Sequence, residues 1–290
     1  MVKAKKEQDQ FQLNTSSILN KAQVMKNVAD GLYLEYPELF IPHSTGEILE
    51  PYQREIVSCV FKPGTKKRFS VRAGHGIGKT WLSSHIAYQF MMMNPLSLIM
   101  ATGPTGKQTR NQFWSYLDSA FKKSIFFNDV ELLKQKIYIK GHDEDWRIIW
   151  VTSRDPATIE GFHNDNLLWI IEEGKGVEDP VYEALSGALS KPNNLLYISS
   201  TCGPPRGHFF DSHNRLRNLY HTFHIPSTES ARVSPEQIAI WEEQWGGEDS
   251  AIFKARVLAI FPSFDDSYIA NLADLMDAIE TPEERGELYS

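Results

Sequence analysis

The feature that most limits what this chain can fold into is a ten-residue stretch, Val71-Arg72-Ala73-Gly74-His75-Gly76-Ile77-Gly78-Lys79-Thr80. It satisfies the phosphate-loop pattern of a small residue, four free positions and then Gly-Lys-Thr, with Ala73 standing where glycine is commoner. Before it, Arg68–Ala73 is a short run with strand character; after it, Lys79 to Met92 places Leu82, Ile86 and Phe90 on one helical face. Strand, glycine turn and helix is the order such a loop requires. Lacking Cβ atoms, Gly74, Gly76 and Gly78 let backbone N–H groups turn inward around an anion. The helix start adds its unpaired N–H groups and positive dipole end. Lys79 brings a point charge to the β/γ phosphates of ATP, and the Thr80 hydroxyl is a ligand for Mg²⁺. The expected ATP-binding residues are therefore Gly74, His75, Gly76, Ile77, Gly78, Lys79 and Thr80.

Binding is not hydrolysis, which calls for a second strand ending in carboxylates. Leu167-Leu168-Trp169-Ile170-Ile171-Glu172-Glu173 ends that way, 93 residues beyond Lys79. Adjacent side chains at a strand end point to different sides, so two acids can take different tasks. Glu172 is expected in the magnesium shell, and Glu173 as the group that orients and deprotonates the attacking water. Three weaker features fit the same site. Tyr52-Gln53 opens a helix, and a glutamine amide can read both edges of adenine, although a plain surface glutamine fits the sequence equally. Thr102-Gly103-Pro104-Thr105, followed by Gln108, ends the next strand, where ligand-facing loops cluster in open α/β sheets. Ser199-Ser200-Thr201 ends another, its hydroxyls able to sense the γ-phosphate and relay its loss; taken alone, a plain turn fits this segment and the Thr102 segment as well.

Strand and helix signals alternate through the middle of the chain, which implies a parallel sheet flanked by helices. Leu167–Ile171 and Leu195–Ser199 are unalternating apolar runs, as in strands buried on both faces. Ile137–Ile139 and Arg147–Thr152 flank Gly141–Asp145 and predict an antiparallel hairpin. After about residue 210 the pattern turns to short, Trp-containing helical pieces. The expected division is a polar leader at 1–35, a nucleotide-binding core at 36–210, a small lid subdomain at 211–265 and an acidic linker at 266–290.

Charge bears on partners only once it is mapped. The net charge of -7 lies wholly in residues 265–290, which hold eight acids and one base; the preceding 264 residues balance. Global charge thus neither supports nor excludes nucleic acid, which depends on local basic surfaces. Three clusters qualify: Lys62, Lys66, Lys67 and Arg68; Lys122, Lys123, Lys134, Lys136 and Lys140; and Arg206, Arg215 and Arg217. Ordinary solvated faces read the same way. Cys59 and Cys202 make no disulfide scaffold and lack zinc spacing. Met1 to Gln10 has no apolar core for a signal peptide, and no run is long enough to span a bilayer.

In order and spacing the motifs resemble the large subunit of tailed-phage terminases. The resemblance runs from about residue 36 to 265 and takes in Tyr52-Gln53, the Arg72-to-Thr80 loop, Thr102 to Thr105 with Gln108, and Gly161-Phe162-His163. It continues through Glu172-Glu173-Gly174, Ser199-Ser200-Thr201 and the closing segment Ser250 to Pro262. It implies a RecA-like ATPase core with a lid, hydrolysing Mg-ATP to move double-stranded DNA into a procapsid. It also implies a homo-oligomeric ring on the portal protein, a small terminase subunit as partner, no membrane, and the infected bacterial cytoplasm as location. The family's nuclease domain would begin near the end of this chain, so no nuclease activity is expected in these residues; Asp265-Asp266 lacks the further carboxylates that two-metal cutting needs.

Two positions depart from the family pattern. Glu172 stands where aspartate is usual, and His75 where many members carry an arginine. Any cis arginine finger must then be Arg72, or else the group comes from a neighbouring subunit; a packed or solvent-facing His75 is the expectation. A helicase-like remodeller, a phosphate-loop kinase and a non-catalytic nucleotide-binding part are the alternatives.

Overall fold

A computed structural model describes residues 19–64, 66–104, 107–151, 159 and 161–263. The leader up to residue 18, Thr105, and the acidic segment from residue 264 with Asp265 and Asp266 lie outside the described residues.

Eight strands form one sheet in the order β3-β4-β5-β2-β6-β7-β1-β8. They are β1 (Arg68–Ala73), β2 (Leu98–Thr102), β3 (Val130–Leu133), β4 (Lys136–Ile139), β5 (Arg147–Trp150), β6 (Leu167–Glu172), β7 (Leu195–Ser200) and β8 (His221–Ile225). All pairings from β5 to β8 are parallel, whereas β3–β4 and β4–β5 are antiparallel. The hairpin expected around Gly141–Asp145 is the β4–β5 pair. Among the helices around the sheet are α1 (Pro51–Phe61), α2 (Lys79–Met93), α3 (Lys107–Lys123), α4 (Asp179–Ala188), α5 (His208–His213), α6 (Pro235–Gln244) and α7 (Ala251–Arg256).

The apolar runs of β6 and β7 divide by parity between two cores. Leu168, Ile170, Leu195 and Tyr197 face α2 and α3 in one. Leu167, Trp169, Ile171, Leu196 and Ile198 face α4 in the other. Burial on both faces explains why these strands show no alternation. Parity also decides the site, because Glu172 and Ser199 continue the α2-facing rows.

Two findings differ from the sequence reading. Helix α2 is buried from Trp81 to Met91 on all sides, not on one stripe. It packs across β6, β7 and β2 while α3 covers its outer side, so its polar Ser83, Ser84, His85 and Gln89 are interior residues. Strand β8 comes from the stretch read as lid, yet pairs in parallel with β1 at the sheet edge. Its residues His-Thr-Phe-His-Ile are half-exposed and mostly polar, which conceals an edge strand from a hydrophobic pattern.

Candidate functional site

The end of β1 turns into α2 through Gly74–Gly78, and two elements from the C-terminal third strap this turn from behind. Gly74 N–H donates to the Ile225 carbonyl (2.9 Å) and His75 N–H to the Arg256 carbonyl (2.6 Å). Ser227 Oγ donates to the His75 carbonyl at 2.9 Å. Glycine at 74 is steric necessity: a Cβ there would lie 2.2 Å from Ser227 Oγ and 2.6 Å from the Val257 carbonyl. Gly76 and Gly78 take φ of 75° and 80°, left-handed values that suit glycine. With the Gly74 and His75 N–H groups spent on the strap, the inward donors are those of residues 76–80, including the unpaired first turn of α2.

Side chains close round this turn. Lys79 Nζ reaches back to the Gly74 carbonyl at 2.9 Å. Burial lowers its pKa, while Glu173 and Glu172 act in the opposite sense. Thr80 Oγ1 donates to Glu172 Oε2 at 2.8 Å, across the 92 residues that separate them. Glu172, 1% exposed, also accepts from Ser199 Oγ at 3.3 Å. Burial raises its pKa; hydrogen bonds from Ser83 and Thr80 act to lower it, and Glu173 to raise it. The β1 and β6 ends are separated by β7, about 10 Å at ~4.8 Å per strand. The first turn of α2, lying across β7, closes that gap.

Glu173 leaves the strand in the left-handed region, φ 48° and ψ 51°. For a non-glycine residue this costs about 1 kcal/mol and is held only by surroundings that over-determine it. Those surroundings are visible. Gly174 is so close to β7 that a Cβ would lie 2.5 Å from Ile198 Cγ2, and Tyr182 donates to the Gly174 carbonyl at 2.9 Å. The turn brings Glu173 Oε2 to Ser200 Oγ (3.3 Å), while Ser199 is taken by Glu172. Two successive hydroxyls of β7 thus serve the last carboxylate of β6 and the one that follows it.

Other expected residues fall in different places. Tyr52 donates to the Ile77 carbonyl at 2.6 Å, so its hydroxyl braces the loop backbone. Gln53 is fully buried, and its Oε1 accepts from the Glu50 N–H at 3.0 Å, closing a capping box at the start of α1. Its Nε2 is buried near Gly78 and has no partner among the described residues. Thr201 Oγ1 accepts from Lys175 Nζ at 2.7 Å. His75 packs edge-on against the stacked rings of Trp241 (6.3 Å) and Trp245 (6.1 Å), and burial, then Lys79, Arg256 and Lys175, lower its pKa to about 4. Arg72 points to the other face of the sheet, its guanidinium 5.7 Å over Phe261. Thr102 is buried at the end of β2, beside Ile171.

Sequence reading passed over Lys175 and Ser83. Lys175 N–H donates to Ser200 Oγ (3.3 Å), and its side chain crosses Gly203 towards Thr201. Its signal was position, two residues beyond the acid pair. Ser83 sits one turn beyond Lys79 and Thr80, on the face of α2 that meets Glu172; helical spacing alone would have found it.

The donor set near Thr80 fits magnesium. Mg²⁺ takes hard oxygen ligands, keeps several waters and uses one or two protein groups plus substrate phosphates. Thr80 and Glu172 supply two oxygens on a shared line. Among the described residues no group of three or more His, Cys, Asp or Glu side chains forms an all-protein metal cage.

No family model matches the chain. In sequence it is 27% identical over 231 residues to a protein of Enterobacteria phage P7 described as a probable terminase, large subunit. That match covers 75% of this chain and 46% of the relative, so the chain spans about half the length of the curated protein it matches. In structure it is similar to the large terminase ATPase domain of Thermus phage P74-26, with TM-score 0.58 and 18% identity over 75% of this chain and 96% of that one. It is also similar to the large terminase of a thermophilic bacteriophage in complex with ATP-gamma-S, with TM-score 0.58 and 11% identity over 73% and 52%. The fold is the RecA-like α/β fold of terminase ATPase domains, and the recognition made from motif order agrees with both comparisons.

Proposed function

We propose that the chain is the ATP-hydrolysing motor domain of a phage DNA-packaging terminase, coupling hydrolysis to movement of double-stranded DNA into a procapsid. The observation that carries this reading is the 2.8 Å bond between Thr80 and Glu172, with Lys79 under the electrostatic influence of both Glu172 and Glu173. Phosphate loop and acid strand form one site. A similar fold has been seen with ATP-gamma-S in the large terminase of a thermophilic bacteriophage, which supports a triphosphate as ligand.

In this reading the N–H groups of residues 76–80 cradle the phosphates, and Lys79 turns from the Gly74 carbonyl to the β/γ oxygens. Thr80 and Glu172 would hold Mg²⁺, which would supply charge neutralisation at the phosphates. Glu173, held by its strained turn and by Ser200, orients water for in-line attack and takes its proton. Ser199, Ser200 and Thr201 couple the state of the acids to β7. Lys175, tied to Thr201, is a second cation beside the site and stands near where a cis arginine would act. Arg72, turned to the far face, has no side chain in this cluster, so the transition-state cation is Lys175 or a group from a neighbouring subunit. The leader, core, lid and linker divisions, the portal and small-subunit partners, the ring and the host cytoplasm belong to the same proposal.

An ATPase assay across protein concentration, with and without duplex DNA, tests it. Slow turnover that rises with concentration and DNA is expected of a site completed by a neighbour. Rapid turnover independent of concentration removes the trans cation, and absence of hydrolysis at every concentration with Mg-ATP overturns the motor reading.

A further inference from the structure

A second polar cavity lies across the sheet from α2, beside the edge strand β8. It has a volume of ≈ 330 Å³ and is lined by Arg72, His213, Asn214, Arg217, Thr222, Phe223 and His224. The sequence places these residues together through sheet register. Arg72 pairs with His224 and Ser70 with Thr222, so parity sets all four on the face opposite α2. His213 ends α5, and Arg217 opens the 3-10 turn Arg217–Leu219 that follows it.

Among the described residues the lining holds two guanidiniums and two imidazoles but no carboxylate. Among the described residues neither Arg72 nor Arg217 forms an ion pair, whereas Arg215 is bound to Asp211 at 2.6 Å. Uncompensated cations are visible at His213, where burial first, then Arg72, His224 and Arg217, bring the pKa down to about 3. The polar groups are already anchored: His213 Nε2 lies 3.0 Å from Ser70 Oγ, and His224 Nε2 is 2.7 Å from the Leu258 carbonyl. Stacking over Phe261 fixes the Arg72 guanidinium in advance. Guanidiniums present forked donors suited to tetrahedral oxyanions, and preorganised donors lose less freedom on binding. A single carboxylate would be satisfied by one arginine; two arginines facing one cavity suit an anion with oxygens on several sides.

We propose that this cavity binds a phosphate group, with Arg72 and Arg217 as its charge-assisted donors. The proposal does not rest on the nucleotide reading, since it uses none of the groups around Lys79. Phosphate chemistry has two sources, free inorganic phosphate and the backbone of nucleic acid.

Imidazole resonances of the full chain, followed by NMR during titration with inorganic phosphate and separately with a short duplex DNA, test it. His75 reports on the phosphate loop, while His213 and His224 report on the cavity. Phosphate is expected to move His213 and His224 saturably. Arg217→Ala, at an exposed position that should leave folding intact, is expected to weaken the titration about tenfold, and Arg215→Ala to leave it unchanged. If duplex DNA moves the same two resonances, the source is the nucleic-acid backbone, and Arg217→Ala should lower the salt slope of DNA binding by about one. If phosphate alone moves them, the ligand is the free ion. Shifts confined to His75, no shifts with either ligand, or a titration unaltered in Arg217→Ala would each overturn the assignment.

Discussion

The loop from Gly74 to Thr80 lies between two walls built on opposite physical plans. The wall of β6 and β7 is a chain of side chains: Thr80 to Glu172, Ser199 to Glu172, Ser200 to Glu173 and Lys175 to Thr201. The wall behind Gly74–Gly78 is largely backbone, with carbonyls of Ile225, Val257 and Arg256 bonded to Gly74, Ser227 and His75. Chemistry needs particular side chains at particular places, so the first wall is written in residue identity. Support needs only a carbonyl at the right height, which any residue supplies, so the second wall is written in chain path.

That contrast can be broken by mutation. On the first wall, Lys79→Ala should weaken ATP binding by about 10–100-fold, the loss of a charge-assisted contact, measured by calorimetry. Unchanged affinity would detach the lysine from the phosphates. On the second, Gly74→Ala should cost about 1–3 kcal/mol of stability by overpacking, read from denaturant midpoints. Adding Ser227→Ala should not restore it, because the Val257 carbonyl and Ser227 N–H still crowd the new methyl. Full rescue would mean that the wall acts through a side chain after all. Tyr52→Phe removes one hydroxyl bond to the Ile77 carbonyl and should cost about 1 kcal/mol, with little change in chemistry at the γ-phosphate.

The same division explains what the sequence disclosed. Glu172, Glu173 and Thr80 were legible because strand, loop and helix signals flank them and their types are few. The β4–β5 hairpin was legible from the glycine-containing turn between apolar runs. Strand β8 was not, since an edge strand of half-exposed polar residues carries no alternation. The strap was invisible for a stronger reason, being made of carbonyls whose positions follow from tertiary structure alone. Gln53 shows the limit from the other side. Its type suggested an adenine reader, but one end of its amide is committed to the Glu50 N–H, a bond that capping-box spacing could have foretold. His75 occupies a position that invites a catalytic reading, and two tryptophans from α6 and its C-terminal edge turn it into packing.

Glu173→Gln probes the heart of this account, since it keeps the side chain's shape and removes only its capacity to take a proton. Single-turnover hydrolysis of Mg-ATP, measured with nucleotide affinity on the same sample, should show affinity within a few-fold of the parent. The rate should be about 10²–10⁴ lower. Hydrolysis at the parental rate would contradict the placement of a triphosphate between the phosphate loop and the acids that end β6.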